Sequence, residues 1–542
     1  MLISKPSSVI ATCLAATLLL ASETQATGIE AEVLVATFGS KSDIGIADRP
    51  IDNMENFAIS PDGNWWSGEF SISGNTSTDN VHLRGQGSSS LEVIWQEGVT
   101  PLPYPGVTGS ISAHGLTLET SINNSGMVAG AISNSSSNST GEPNSFIYQY
   151  DGSAISIVAA EHADIPAYPG TQYGIWGSGS DGLHGVNALE NGQVAFLSEG
   201  VTGEGVPSNY GVALSNNGST AIGPQVGVTA YPNGILDQWD QSDLVVTPDG
   251  ATFLFQGDTD GSVTMDDVIV YGAVGTEGTA VLQENATPIG DGVFDTAWLG
   301  TLASNGDWYV LGGLTNGDHV AIKNGDLLAK AGDIAPNGYA YDDNAAGAID
   351  GNSNGNYIWV WDTENPDPGA DELLVYNNTT ALLTQGETIS LDFGDDLMDV
   401  VVEEFGFVAA RLSDSGWVYA MVSFSDTDDN FLGPAFIRFM VDQGSTVLPG
   451  DYNLDGIVNL ADYTIWRNNL GAPGETLGAG RDPNVTGAVN AQDYDWWKAN
   501  FGATTANNPT PLAMRVPEPT ALSLLLAGGC VLFGRLLLSN HP

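Results

Sequence analysis

The sequence predicts a mainly β protein: a propeller-like domain of six to eight repeated four-stranded blades, then a small α-helical domain and a C-terminal hydrophobic helix. Three observations predict it. A glycine-centred turn phrase returns through residues 30–441. A 12-residue loop rich in Asp and Asn occurs twice before residue 502. An apolar run follows Val516-Pro517-Glu518-Pro519.

The turn phrase reads AISPDGNWWSGEF from Ala58, SINNSGMVAGAI from Ser121, ALENGQVAFLS from Ala188 and ALSNNGSTAIG from Ala213. It returns as VVTPDGATFLFQG from Val245, TLASNGDWYVLGG from Thr301 and RLSDSGWVYAMVSF from Arg411, with a looser copy, AIDGNSNGNYIWVW, from Ala348. In each, Asn or Asp and Gly supply the backbone of a tight turn, and the apolar residues after it form an inner strand. A second phrase, strand, polar turn and strand, appears as VIWQEGVTPLP from Val93, AVLQENATPIG from Ala280, VAIKNGDLLAKAGD from Val320 and LLVYNNTTALLTQGE from Leu373. Two hairpins per repeat make a four-stranded unit. Most copies stand about 47 to 66 residues apart, a propeller-blade period. The copy at Ala213 is too close to its neighbours and leaves the blade count open. Ring closure removes the long sheet edges that expose a β-rich protein to aggregation. A tandem β-sandwich or an irregular β-solenoid is the alternative. The region also resembles the propeller-like repeat domains on surface proteins of aquatic Gram-negative bacteria.

The chain has 65 acidic and 13 basic residues, a formal net charge of −52. Such a surface repels phosphate backbones and anionic headgroups, which argues against nucleic acid and peripheral membrane binding. With 42% hydrophobic and 9% aromatic residues, the chain nevertheless has ample material for a packed core.

The first 26 residues combine Lys5, an apolar stretch from Val9 to Ala21 and a small-residue site at Thr24-Gln25-Ala26, the layout of a secretory signal peptide. The two cysteines, Cys13 and Cys530, lie in the apolar end segments. With those segments removed, the exported chain has no cysteine, so no disulfide can stabilise it.

In DYNLDGIVNLAD, Asp451, Asn453 and Asp455 stand at positions 1, 3 and 5, Gly456 makes the turn at 6, the Ile457 carbonyl serves 7, Asn459 stands at 9 and Asp462 at 12. Oxygen ligands at this spacing suit Ca2+. The second loop repeats the plan with Asp482, Asn484, Thr486, Gly487, Ala488, Asn490 and Asp493, and both loops run into matched segments, YTIWRNNLG and YDWWKANFG. The pair, over residues 449–502, resembles a type I dockerin, built from two such EF-hand-like loop–helix units with Asp at position 12. Two departures stand out. Thr486 replaces a carboxylate, which weakens the second site. Leu460-Ala461 and Ala491-Gln492 replace the Ser-Thr pair that cohesin-binding dockerins often show, which argues against a cohesin partner and for a calcium-stabilised spacer. The run QGDTDGSVTMDD (256–267) can be laid on the same register but reads as a blade turn.

Residues 503–515 form a polar, Pro-containing linker. The segment 516–542, with its motif Val516, Pro517, Glu518 and Pro519, a short transmembrane stretch at 521–538 and Arg535, resembles a PEP-CTERM sorting signal, which implies an exosortase-type processing enzyme as partner and a Gram-negative cell surface as destination. The apolar stretch is shorter than the roughly 20 residues of a stable span.

No P-loop, HExxH, GxSxG or CxxC motif is present. His82, His114, His162, His184 and His319 fall in different repeats, and with 65 acids carboxylate pairs arise by composition alone. No catalytic residue is assigned. Trp65, Trp66, Trp359, Trp361, Trp466, Trp496 and Trp497 are expected in packed interiors. The sequence thus points to an exported, non-enzymatic calcium-binding surface or extracellular-matrix protein that binds polysaccharide or another surface protein. A secreted carbohydrate-active enzyme, a glycoside hydrolase or lyase carrying a dockerin module, is the alternative, and two acids converging on the propeller's central pocket would favour it.

Overall fold

The computed structural model describes residues 30–503, apart from 47–48, 75–76, 114–119, 135–142, 175–182, 204–210, 240–243, 262–264, 344–346, 395–396, 442–448 and parts of 453–486; the ends, 1–29 and 504–542, lie outside the described residues. The signal peptide, the linker and the motif Val516 to Pro519 with Arg535 therefore fall outside. No helix among the described residues is long and apolar enough to cross a membrane.

Among the described residues seven antiparallel blade sheets follow one another along the chain, blade 1 (51–96), blade 2 (111–160), blade 3 (183–226), blade 4 (230–283), blade 5 (288–330), blade 6 (348–384) and blade 7 (388–440), with a small two-stranded sheet of Thr171–Gln172 and Thr202–Gly203 beside them. Their innermost strands include Ile51–Ile59, Thr120–Ile122, Leu183–Ala188, Val245–Val246, Gly292–Leu302, Ala348–Gly351 and Leu397–Leu412. Each inner strand touches the next, and the last touches the first. The fold is a seven-bladed propeller. Blade 7 takes its outermost strand from the start of the domain: Ala31–Ala36 pairs antiparallel with Phe431–Met440. The ring is thus closed by hydrogen bonds between the two ends of the domain, and Arg438 adds an ion pair to Glu32 at 2.7 Å across the same seam.

Seven of the eight turn phrases join the innermost strand of a blade to its neighbour. Their glycines take positive φ, from 70° at Gly63 to 92° at Gly416, which only glycine adopts without strain. The eighth, at Ala213, joins the strands Gly211–Ser215 and Thr220–Val226 at the outside of blade 3. Asn216, Asn217 and Gly218 all take positive φ there, so it mimics the inner turn locally while occupying another place in the blade. The second phrase also has two uses. The copies at Val320 and Leu373 are the outer hairpins of blades 5 and 6. Those at Val93 and Ala280 are outermost strands running out of blades 1 and 4. Their exit turns share a Gln-x-x-x-Thr pattern in which the threonine hydroxyl accepts from the Gln N–H at 2.9 Å, at Gln96–Thr100 and Gln283–Thr287.

Successive side chains on a strand point to opposite faces, so each blade feeds the layers on both sides. In blade 6, Trp359 and Trp361 pack toward blade 5, while Ile358 and Val360 pack toward blade 7. Seven apolar layers result, one at each blade junction. Trp66, Trp359 and Trp361 are fully buried in these layers, as expected for interface fillers.

An eighth, separate core belongs to the C-terminal unit, where α1 (Leu460–Asn468) and α2 (Ala491–Asn500) bring together Tyr452, Val458, Leu477, Val489 and Trp497.

Candidate functional site

The inner strands surround an axial cavity of about 250 Å³, to which all seven blades contribute. Its charged lining residues are Asp350, Arg411 and Asp414. Asp350, on the inner strand of blade 6, is fixed from both sides. One carboxylate oxygen accepts from the Thr301 hydroxyl of blade 5 at 3.0 Å and from its neighbour's N–H at 2.9 Å, and the other accepts from the Leu412 N–H of blade 7 at 2.8 Å. Burial raises its carboxyl above the ordinary value, opposed by the positive charge of Arg411 and by those donors. Arg411 is half-buried; burial pulls its guanidinium below the ordinary value, and Asp350 opposes that shift. Its Nη1 donates to the Ala410 carbonyl at 3.1 Å. A guanidinium has five N–H donors, so this group offers the cavity donor capacity for an acidic or hydroxylated ligand atom. The other junctions use side chains in the same joining role. Ser121 accepts from the Ala188 N–H at 3.0 Å, and Asn187 accepts from the Val246 N–H at 3.0 Å.

Around one mouth of the cavity the glycine turns form a chain of blade-to-blade hydrogen bonds. The Asp62 N–H donates to Asn124, the Asn124 N–H to Glu190 and the Glu190 N–H to the Pro248 carbonyl, at 2.8, 2.9 and 2.7 Å. On the other arc, the Ser353 N–H donates to Asp414, and the Asp414 N–H to the Pro61 carbonyl, both at 2.7 Å. Both carboxylates of the cavity thus hold backbone N–H groups of neighbouring blades. They thereby join blade 6 to blade 7.

A polar cluster lies sealed at the junction of blades 1 and 2. The His82 Nε2 contacts the Ser67 hydroxyl at 2.6 Å and the Thr120 hydroxyl at 3.1 Å, and its Nδ1 faces the Tyr148 hydroxyl at 3.3 Å. Burial lowers His82 to about 3. Glu69, opposite His82 on the neighbouring strand, is raised to about 8 by burial first, with the charges of Glu55 and Glu97 adding and an Asn56 hydrogen bond opposing. His82 and His184 are only 2% exposed, too enclosed to meet a substrate. His319 lies edge-on to Trp298, His162 takes a positive-φ turn, and His114 lies outside the described residues. The 256–267 run bridges two strands of blade 4, as a blade turn should. There the carboxylates of Asp266, Asp267 and Glu284 converge, and Glu284 accepts from the Asp266 N–H at 3.0 Å.

Of the paired-loop residues, Asp451, Asn459, Asp462, Ala488, Asn490 and Asp493 are described, while Asn453, Asp455, Ile457, Asp482, Asn484 and Thr486 lie outside the described residues. Asp451, Asp462 and Asp493 are almost wholly buried, at 2%, 0% and 0% exposure. Buried carboxylates need compensating partners. Asp462 accepts from the N–H groups of Tyr452 and Asn459, both at 2.8 Å. Asp493 accepts from the Asn490 N–H at 2.8 Å, closing a capping box at the start of α2.

The two units are tied reciprocally. Trp466 of α1 donates its indole N–H to the Asn490 carbonyl of the second loop, and Trp497 of α2 donates to the Asn459 carbonyl of the first, both at 2.9 Å. Val489 pairs with the segment after α1 through the Gly471 N–H and the Ala472 carbonyl, at 2.9 Å each. Val458 pairs in the same way with Gly502 and Ala503 after α2. Each loop is therefore braced by the other unit's helix and by the residues that follow it. Trp497 is a core residue of this unit and Trp466 packs half-buried against that core, whereas Trp496, expected in the interior as well, is only half-buried. Sequence reasoning found the repeat of loop and helix but not this exchange, which no local pattern announces.

No protein-family description matches the sequence, and no curated protein matches it. Among solved structures, the chain is similar to prolyl oligopeptidase B from Galerina marginata at 10% identity, TM-score 0.34, covering 71% of this chain and 51% of that one. It thus spans about half the length of that protein. It is also similar to the WD40 β-propeller domain of Doa1 at 9% identity, TM-score 0.32, covering 76% and 97%. A third is the β-propeller domain of the Trilobed protease from Pyrococcus furiosus, at 8% identity and TM-score 0.26, covering 71% and 83%.

Proposed function

We propose that this chain is an exported cell-surface or extracellular-matrix protein, non-enzymatic, whose propeller binds polysaccharide or another surface protein and whose paired loops bind Ca2+ in the manner of a dockerin. Its C-terminal segment is read by an exosortase-type enzyme. The observation that carries the reading is the reciprocal bracing of two duplicated loop–helix units around buried carboxylates. The donor set fits a hard cation: Asp451 and Asp462 are buried beside Asn459, and two backbone N–H groups orient Asp462. When bound, calcium would supply positive charge that offsets the mutual repulsion of the loop carboxylates. The chain's own residues orient them through the loop N–H groups and the exchanged tryptophan bonds. The propeller supports a binding role through its axial cavity, where Arg411 offers donors while Asp350 and Asp414 are engaged with the backbone.

Calcium addition tests the reading. Titration of the chelated full-length chain should raise protease resistance across 449–503 and change tryptophan fluorescence, with both effects reversed by chelator. Identical proteolysis and fluorescence with calcium and with chelator would refute it.

A further inference from the structure

We infer that the second loop is closed by an internal cation, the guanidinium of Arg481, so that the paired loops take up a single calcium ion, in the first loop. The inference rests on the calcium reading of these loops. Arg481 directly precedes position 1 of the second loop. Its Nε donates to one carboxylate oxygen of Asp493 at 2.7 Å, and its Nη2 reaches the other at 3.3 Å. Nη1 donates to the Gly487 carbonyl at 3.0 Å, and Nη2 reaches the Ala488 carbonyl at 3.4 Å. Asp493 is the position-12 carboxylate and the Ala488 carbonyl is the position-7 oxygen, so the guanidinium holds two of the groups a calcium ion would need. A planar fork on a carboxylate is a strong, oriented contact. It is also enclosed: the Arg481 side chain is 12% exposed and that of Asp493 is 0%.

A second observation shows that the chain is shaped around this side chain. A Cβ built on Gly474 would stand 1.5 Å from Nη1 of Arg481 and 2.5 Å from the Gly487 carbonyl oxygen, so the guanidinium passes over a residue that can only be glycine there. The first unit has no equivalent. Its matching position is Gly450, which has no side chain to supply a charge. The second loop also carries Thr486 where the first has Asp455, so it holds less negative charge for a divalent ion to neutralise. One positive charge from arginine suits that reduced set. Calcium entering the second loop would have to displace the guanidinium or sit beside it, against like-charge repulsion.

The test is native mass spectrometry and calorimetry of the full-length chain with calcium, comparing wild type with Arg481→Gly, which copies Gly450. The inference expects one ion per wild-type chain and a second ion on Arg481→Gly. Two ions on the wild type would overturn it and leave the calcium reading intact. No ion on the wild type would overturn both. Should Arg481→Gly not fold, two single substitutions outside the arginine contact decide the matter. Asp451→Asn should weaken calcium uptake by the wild-type chain at least tenfold, whereas Asp482→Asn should leave it within about twofold, at roughly 1.4 kcal/mol per tenfold change. The reverse pattern, or equal losses, would overturn the assignment.

Discussion

Glu69 should make this propeller lose stability steadily as pH rises through neutrality. It is 8% exposed in blade 1, and burial raises its carboxyl from 4.5 to about 8. The folded chain therefore holds a proton that the unfolded chain releases near its ordinary value. Its stabilising effect is complete below pH 4.5 and is lost as pH rises through 8. At 1.36 kcal/mol per unit, the loss between pH 5 and pH 9 is about 4 kcal/mol. For a domain of some 400 residues this corresponds to roughly 4 °C in Tm. Glu69→Gln removes the titration while keeping an amide able to meet Asn56. Thermal unfolding followed by circular dichroism, at fixed calcium and ionic strength, should show wild type and Glu69→Gln close together at pH 5. By pH 9 the wild type should lie about 4 °C lower. The net charge of −52 also destabilises the fold as pH rises, but it does so in both proteins, so the difference isolates Glu69. Parallel curves across the range would refute the assignment of Glu69 as a buried neutral acid.

Three other outcomes are expected. His82, held at about 3 by burial against an ordinary 6.5, stabilises the fold above pH 6.5 and loses that effect as pH falls toward 3; wild type should lose urea resistance over this range more steeply than His82→Gln. Gly351→Ala would place a Cβ 2.2 Å from the Tyr309 ring inside the layer between blades 5 and 6, so it should destabilise by about 1–3 kcal/mol in denaturant unfolding. Deleting Ala31–Ala36 removes the outermost strand of blade 7 and exposes a sheet edge, so size-exclusion chromatography should show oligomers where the intact chain runs as one species.

The blade architecture was legible because each inner turn needs a glycine with positive φ, and that need leaves a mark at fixed spacing. The number seven was not. The outer turn of blade 3 carries the same Asn-Gly chemistry, at Asn217-Gly218, so the copy at Ala213 is locally indistinguishable from the seven inner ones. The ring closure was hidden for a related reason: Ala31–Ala36 and Phe431–Met440 pair across the whole domain, and strand pairing at that separation leaves no local signal. The joining roles of Asp350, Asn187 and Ser121 were equally invisible, since single polar residues in strands look alike until their partners are known. At the C-terminal loops the spacing of Asp and Asn pointed to the carboxylates. Arg481 carries no such signal, because it lies one residue outside the repeated register and its contact with Asp493 depends on how the loop turns back. Glu69 and His82, one in a strand and one opposite it, became notable only once both proved to be buried.

The proposed function has the propeller bind its polymer without cleaving it. Incubating the calcium-loaded chain with a panel of marine and plant polysaccharides, while measuring both retention and reducing-end release, tests it most directly. Retention on at least one polymer is expected, reduced in Arg411→Met, with no new reducing ends. Release of reducing ends from any polymer would contradict it.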